Sequence, residues 1–170
     1  MKTLLLLTLL ALVTNNGCLC KSQEPALEVE KRSFDCPSGW IPGAGKCLHW
    51  NQQQGLAWWD ANDYCRAHDA ELLSWRSEAE YLTFKFFWLE LVISNGGAGG
   101  WTGGIKQWWN YDDWTWGNTT NDLVPINYGW SEGKPNGAEG SHECAELYSD
   151  GMLDDKGCDR AIPFICQLND

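Results

Sequence analysis

Along the chain the spacing of apolar positions changes from helical to strand-like. In "GLAWWDANDYCRAHDAELLSW" (55–75), Trp58, Ala61 and Cys65 fall on one helical face, with Asp60 and Asp63 on others, and the helix is expected to end near His68. In "SEAEYLTFKFFWLELVIS" (77–94), Ser77 followed by Glu80 predicts a capping box, in which Ser77 takes an orphan N–H and Glu80 reaches back to the cap N–H. Tyr81, Phe84, Trp88 and Leu91 form one face of this second helix. Phe86, Phe87 and Leu89 lie beyond that face, a pattern of deep burial or subunit contact, of which burial is expected. The glycines of "NGGAGGWTGG" (95–104) then imply tight turns or close backbone approach. Beyond them come short strands and loops, with "DWTWG" (113–117), "HECAELY" (142–148) and "PFICQL" (163–168) the clearest strands. Ahead of the first helix, "CPSGWIPGAGKCLHW" (36–50) reads as a hairpin turning at Pro42–Gly43. Two helices followed by a loop-rich β half predict an α+β architecture.

Residues 1–20 are set apart from the fold. Lys2, the apolar run 4–13 and the small residues after it form a secretory signal pattern, with a run too short to span a bilayer. Residues 21–35 are polar and lack apolar periodicity, as a linker or pro-segment does. Lys31–Arg32 matches a dibasic processing site, although an uncleaved polar lead-in is preferred for so short a motif. One domain, 36–168, remains.

Composition narrows the chemistry. Of eight cysteines, Cys18 and Cys20 fall in the leader, and the other six form an even set that reads as a disulfide framework. No two have C-x-x-C spacing, which argues against a zinc knuckle or a thioredoxin-type site. Spacing alone does not choose among the possible pairings. The formal net charge of -11 argues against nucleic acid and against insertion at an anionic membrane, and suits cations or neutral ligands. Of twelve tryptophans many belong to the core, because each buries much area, but a sugar binder also uses exposed tryptophan, so the count alone does not decide. Asn118-Thr119-Thr120 is a glycosylation sequon in a polar loop.

Taken in order, several of these segments resemble the long form of the C-type lectin-like domain. "CPSGW" resembles its opening, "WWDANDYC" its first helix, and "AELLSWRSEAEYLTF" the passage into its second. "WTGG" stands at a core strand, "HECAELYSDGMLDDKGC" and "PFICQ" at the closing strands, and "KPN" at the sugar-selecting tripeptide. The resemblance implies two helices on short antiparallel sheets with a long irregular loop region. It also implies the pairings Cys36–Cys47, Cys65–Cys166 and Cys144–Cys158.

In sugar-binding members of that family a calcium ion sits in the upper loop, and two sugar hydroxyls complete its shell. A hard cation wants roughly six to eight oxygen ligands, so carboxylates and amides suit it. There Glu-Pro-Asn goes with mannose-like hydroxyl geometry and Gln-Pro-Asp with galactose-like. Here the tripeptide is Lys134-Pro135-Asn136, with Pro135 expected cis as in the family. His142 stands where the family places a glutamate, with Glu143 one place late. Asp154 and Asp155 follow in the next loop, Asp154 in place of an asparagine. The implied carbohydrate-binding set is Lys134, Asn136, His142, Asp154 and Asp155. The implied calcium set is Asn136, Glu143, Asp154 and Asp155. Two arrangements are open. Lys134 swings outward, and Glu143 or Glu139 repairs a weakened calcium site; or its ammonium pairs with Asp154 and Asp155 and replaces the ion. The first, a retained but weak calcium dependence, is the expectation. A second calcium site is poorly provided for, since Gly137 follows the tripeptide. Trp108, Trp109 and Trp130 are candidate stacking platforms, whereas Trp101, Trp114 and Trp116 read as core.

The function expected is that of a secreted lectin for glycans on microbial surfaces, in innate immunity. The alternative is a lectin-fold protein that has lost sugar binding and meets a protein, ice or mineral surface. An enzyme is not expected: Glu143, Asp154 and Asp155 cluster, but no nucleophile with a base accompanies them. No collagen-like or coiled-coil segment is present to build an oligomer; an isologous dimer through the second helix is the option left, and nothing in the sequence supports it.

Overall fold

The computed structural model describes residues 35–106, 113–117, 124–137 and 143–168, all within the compact unit Ser33–Asp170. Its elements in chain order are β1 (Ile41–Gly43), β2 (Lys46–Leu56), α1 (Trp58–Arg66), β3 (Ala70–Leu72) and α2 (Glu78–Asn95). Then follow β4 (Gly99–Lys106), β5 (Trp114–Trp116), β6 (Glu143–Tyr148), β7 (Leu153–Gly157) and β8 (Ile162–Leu168). The strands join in the order β1-β2-β8-β4-β6-β7, with β3 on β8 and β5 on β4. The short antiparallel pairings join into one mixed sheet, because β4 meets β8 in parallel at Trp101 and Phe164. No helix among the described residues is long and apolar enough to cross a membrane.

α1 forms where the apolar spacing places it, with Trp58, Ala61 and Cys65 buried. α2 starts at the Ser77 cap, whose Oγ accepts the Glu80 N–H at 3.2 Å. The capping box is modified: Glu80 accepts the Arg76 N–H at 2.8 Å, one residue before the cap, and also pairs with Lys46 at 2.6 Å. Burial raises the Glu80 carboxyl pKa, but the bonds from Lys46 and Arg76 prevail and leave it lowered. The core face of α2 is Tyr81, Phe84 and Trp88. Phe87 is partly buried and lies against Gly43, where any Cβ would collide with its ring. Phe86 departs from expectation and is 72% exposed.

The first hairpin turns at Ala44–Gly45, not at Pro42–Gly43, which belong to β1 and pair with Cys47 and Lys46. Both turn residues have positive φ, 52° and 75°, the signature of a two-residue turn that matches strand twist. Gly99, at φ 116°, is the clearest close approach, since a Cβ there would strike the Leu147 carbonyl.

Two clusters make the core. One gathers Leu48, Trp50, Trp75, Phe84, Trp88, Trp116 and Leu147 between α2 and the sheet. The other surrounds Trp58, Leu72, Trp101 and Phe164 with Cys65, Cys166, Cys144 and Cys158. Indole N–H groups tie elements together: Trp50 donates to Gly99 O and Trp101 to Leu56 O between strands, and Trp58 to Thr102 O and Trp88 to Tyr148 O from helix to strand. Such bonds offset the cost of burying an indole N–H, so these tryptophans fasten elements to one another as well as fill volume. The disulfides are Cys36–Cys47, Cys65–Cys166 and Cys144–Cys158, as the resemblance implied.

Candidate functional site

The tripeptide lies in a segment pinned to β7 at its base. Leu153 N donates to Gly129 O at 2.7 Å, Ser131 N to Leu153 O at 2.9 Å, and Lys134 N closes a turn on Ser131 O at 3.0 Å. Trp130 is half-buried: its ring packs edge-on against Trp114 and its N–H bonds Ile126 O at 3.1 Å. The Lys134–Pro135 peptide is cis.

The carboxylates of β7 hold this segment. Asp155 accepts the Asn136 N–H on one oxygen at 2.9 Å and the Gly137 N–H on the other at 2.8 Å. Gly137 can offer its N–H there because it stands at φ 67°, a conformation that favours glycine. Asp155 is therefore a brace for the loop backbone. Asp154 is clamped on both sides. Its Oδ1 receives the Lys134 ammonium at 2.6 Å and the Asp155 N–H at 2.9 Å. Its Oδ2 receives the Lys156 ammonium at 2.8 Å and the Tyr148 hydroxyl at 2.7 Å. Lys134 also lies 3.6 Å from Asp155 Oδ1, and its side chain stays 22% exposed. Nearby, Glu143 is fully buried; its Oε2 accepts Lys106 at 2.8 Å, and its Oε1 has no hydrogen-bond partner among the described residues.

The electrostatics follow from these contacts. Burial alone would push the Asp154 carboxyl up, but hydrogen bonds from Lys134, Lys156 and Tyr148 outweigh it and hold the group well below the usual carboxylate range. The bond to Asp154 raises the Lys134 ammonium above an ordinary lysine, and does the same to Lys156. Burial, and then its bond to Asp154, pushes the Tyr148 phenol up.

A depressed carboxylate contributes stability that is present above its unfolded pKa, about 3.9, and is lost as pH falls through the folded value. The raised lysines contribute below about 10.4 and lose it as pH rises through their folded values. The melting-temperature gap between wild type and Asp154→Asn should therefore stay constant from about pH 5 to 9 and shrink below about pH 4. A melting series across that range checks it.

The donor set does not fit a divalent cation. Both Asp154 oxygens are taken up by ammonium groups, and both Asp155 oxygens accept backbone N–H groups. Three ammonium groups, on Lys106, Lys134 and Lys156, already neutralise the carboxylates of Glu143, Asp154 and Asp155. Among the described residues no group of three or more His, Cys, Asp or Glu is arranged to hold a metal ion.

The structure brings Lys134, Asn136, Asp154 and Asp155 together, with Glu143 set beside Gly137. His142, Glu139, Asn118, Trp108, Trp109 and the Lys31–Arg32 pair lie outside the described residues. Sequence reading missed Lys156, Tyr148 and Lys106. For Lys156 the signal was present: it stands two residues after Asp154 on a strand, hence on the same face. Nothing local in the sequence marks Tyr148 or Lys106, which arrive through strand pairing.

The rat asialoglycoprotein receptor 2 is 30% identical over 139 residues, which cover 78% of this chain and 42% of that protein. Human C-type lectin domain family 10 member A is 25% identical over 143 residues, covering 78% and 40%. The chain thus spans less than half the length of these relatives. Among solved structures, the mouse scavenger receptor C-type lectin carbohydrate-recognition domain superposes with a TM-score of 0.60 at 25% identity, covering 78% of this chain and 94% of that one. The family these resemblances share is a binding module, not an enzyme. Residues 54–168 match the model of the lectin C-type domain, and the chain belongs to that family.

Proposed function

We propose that this chain is a secreted lectin that binds glycans, on microbial surfaces, through the Lys134–Asn136 loop and without calcium. The observation that carries the proposal is the Lys134 ammonium at 2.6 Å from Asp154, where a metal-binding loop would present free oxygen. An ammonium is a compact cation with three donors. Contacts to Asp154 and Asp155 leave donor capacity toward solvent, where it can meet a sugar hydroxyl or carboxylate. Asp155 holds the loop backbone in place for that contact. The leader-like residues 1–20 and the disulfides support the secreted reading. The names of the relatives, an asialoglycoprotein receptor and a carbohydrate-recognition domain, support the ligand class.

One observation favours the alternative of a surface binder that has lost sugar recognition: the Asp154 and Asp155 oxygens have their acceptor capacity engaged from within the protein. A glycan array separates the two. The proposal expects wild type to bind at least one glycan class and Lys134→Ala to lose about tenfold or more in affinity, the worth of a charge-assisted hydrogen bond. Blank arrays for wild type, with binding to ice, mineral or a protein, would establish the alternative.

A further inference from the structure

α2 carries two apolar faces. The first is the core face. The second comprises Leu82, Phe86, Leu89 and Ile93, spaced four, three and four residues apart. Leu82 is 45% exposed, Phe86 72% and Ile93 84%, and Leu89 is half-buried between them. Isolated exposed apolar residues need no explanation, but four in register along one helix do. The spacing is that of a two-helix seam, with Leu82 and Leu89 at d positions and Phe86 and Ile93 at a positions. Leucine at d with a β-branched residue at a suits a parallel pair, and of the two a residues Ile93 meets that pattern while Phe86 does not. The stripe is too short to register as a coiled coil in sequence, which takes several heptads.

Charge supports the same orientation. In this register Lys85 falls at g and Glu90 at e, five residues on. Those are the two positions that face each other across a parallel seam. Glu90 is exposed and has no ion-pair partner among the described residues. The Lys85 ammonium meets the Met152 thioether and lies 6.0 Å from the Tyr81 ring centre. A thioether is a weak acceptor, so a carboxylate from another copy is a better partner. An antiparallel pair would put Lys85 and Glu90 on opposite flanks and make no such contact.

We propose that the outer face of α2 is a self-association surface, on which two copies pair in parallel through Leu82, Phe86, Leu89 and Ile93, with Lys85 of each opposite Glu90 of the other. The seam is about 17 Å long and one helix stripe wide, so it buries less than the roughly 800 Å² per partner of a standard interface. The dimer is therefore weak and reversible, with Kd on the order of 100 µM. Pairing would put two copies of the Lys134 loop on one particle, the condition for avidity.

Sedimentation equilibrium of the full chain, across a concentration series at an ionic strength of about 0.15 M, tests this. The mass should rise from monomer toward dimer. Phe86→Glu and Ile93→Glu, both at exposed positions, should stay monomeric with unchanged circular dichroism. Lys85→Glu should weaken the dimer about tenfold, and adding Glu90→Lys should restore it. A monomer throughout the series overturns the proposal. So does a dimer indifferent to both glutamate variants, or one in which the charge swap restores nothing. If instead wild type sediments with lipid vesicles and Phe86→Glu does not, the stripe is a membrane contact and the dimer is rejected.

Discussion

Replacing Cys65 and Cys166 together by alanine should lower the unfolding free energy by about 4–5 kcal/mol, the largest loss from removing any one disulfide. The bridge closes a loop with a sequence separation of 101, against 11 for Cys36–Cys47 and 14 for Cys144–Cys158. Loop-closure entropy grows with the logarithm of length, so the Cys36–Cys47 bridge should contribute roughly 2 kcal/mol less. Cys65 and Cys166 also sit in the buried cluster around Trp58 and Phe164, where α1 is fastened to β8. Alanine is the right replacement, because serine would bury two hydroxyls there. For a domain whose whole stability is about 5–15 kcal/mol, the loss is a large fraction. Guanidinium unfolding followed by tryptophan fluorescence measures it, and the order of the three double variants checks the length argument.

Asp154→Asn should cost about 3 kcal/mol and disorganise the Lys134 loop. The substitution preserves shape but leaves the Lys134 and Lys156 ammonium groups beside a neutral amide. Each loses a charge-assisted bond, at 2.6 and 2.8 Å. Asp154 is buried but both ammonium groups are partly exposed, so the penalty falls below that for fully desolvated ions. Asp155→Asn should act differently. It replaces one acceptor of the Asn136 and Gly137 N–H groups by an amide nitrogen, so it should loosen the loop more than the fold. Denaturant midpoints for the two variants, set beside amide exchange at Asn136 and Gly137, distinguish them.

Local pattern and resemblance carried much of this structure. The helical faces of α1 and α2 and the strands around Trp114, Cys144 and Phe164 were readable from spacing and residue type, and the glycine run 95–104 read as turns or close approach without marking Gly99. What escaped depends on distant partners. The parallel contact of β4 with β8 has no local mark. The exposure of Phe86 could not be read from periodicity, because α2 is apolar over most of its circumference. The first turn was misplaced because Ala44 adopts a positive φ that alanine rarely does, while Pro42–Gly43 offers the commoner turn signal.

At the site, residue type alone left the place of Lys134 undecided between outward and inward. Geometry gives the inward arrangement, opposite to the expected weak calcium site, for a reason absent from the tripeptide. Lys156 and Tyr148 fix Asp154 from the far side and turn its other oxygen toward Lys134. With Lys106 on Glu143, the acidic cluster is balanced from within.

The most direct test of that claim is glycan binding by wild type and Lys134→Glu, each with calcium and with a chelator. If Lys134 stands in the cation's place, chelation leaves wild-type binding unchanged, and Lys134→Glu gains binding that needs calcium. Wild-type binding that chelator abolishes would contradict the account and restore a calcium site on Asn136, Glu143, Asp154 and Asp155.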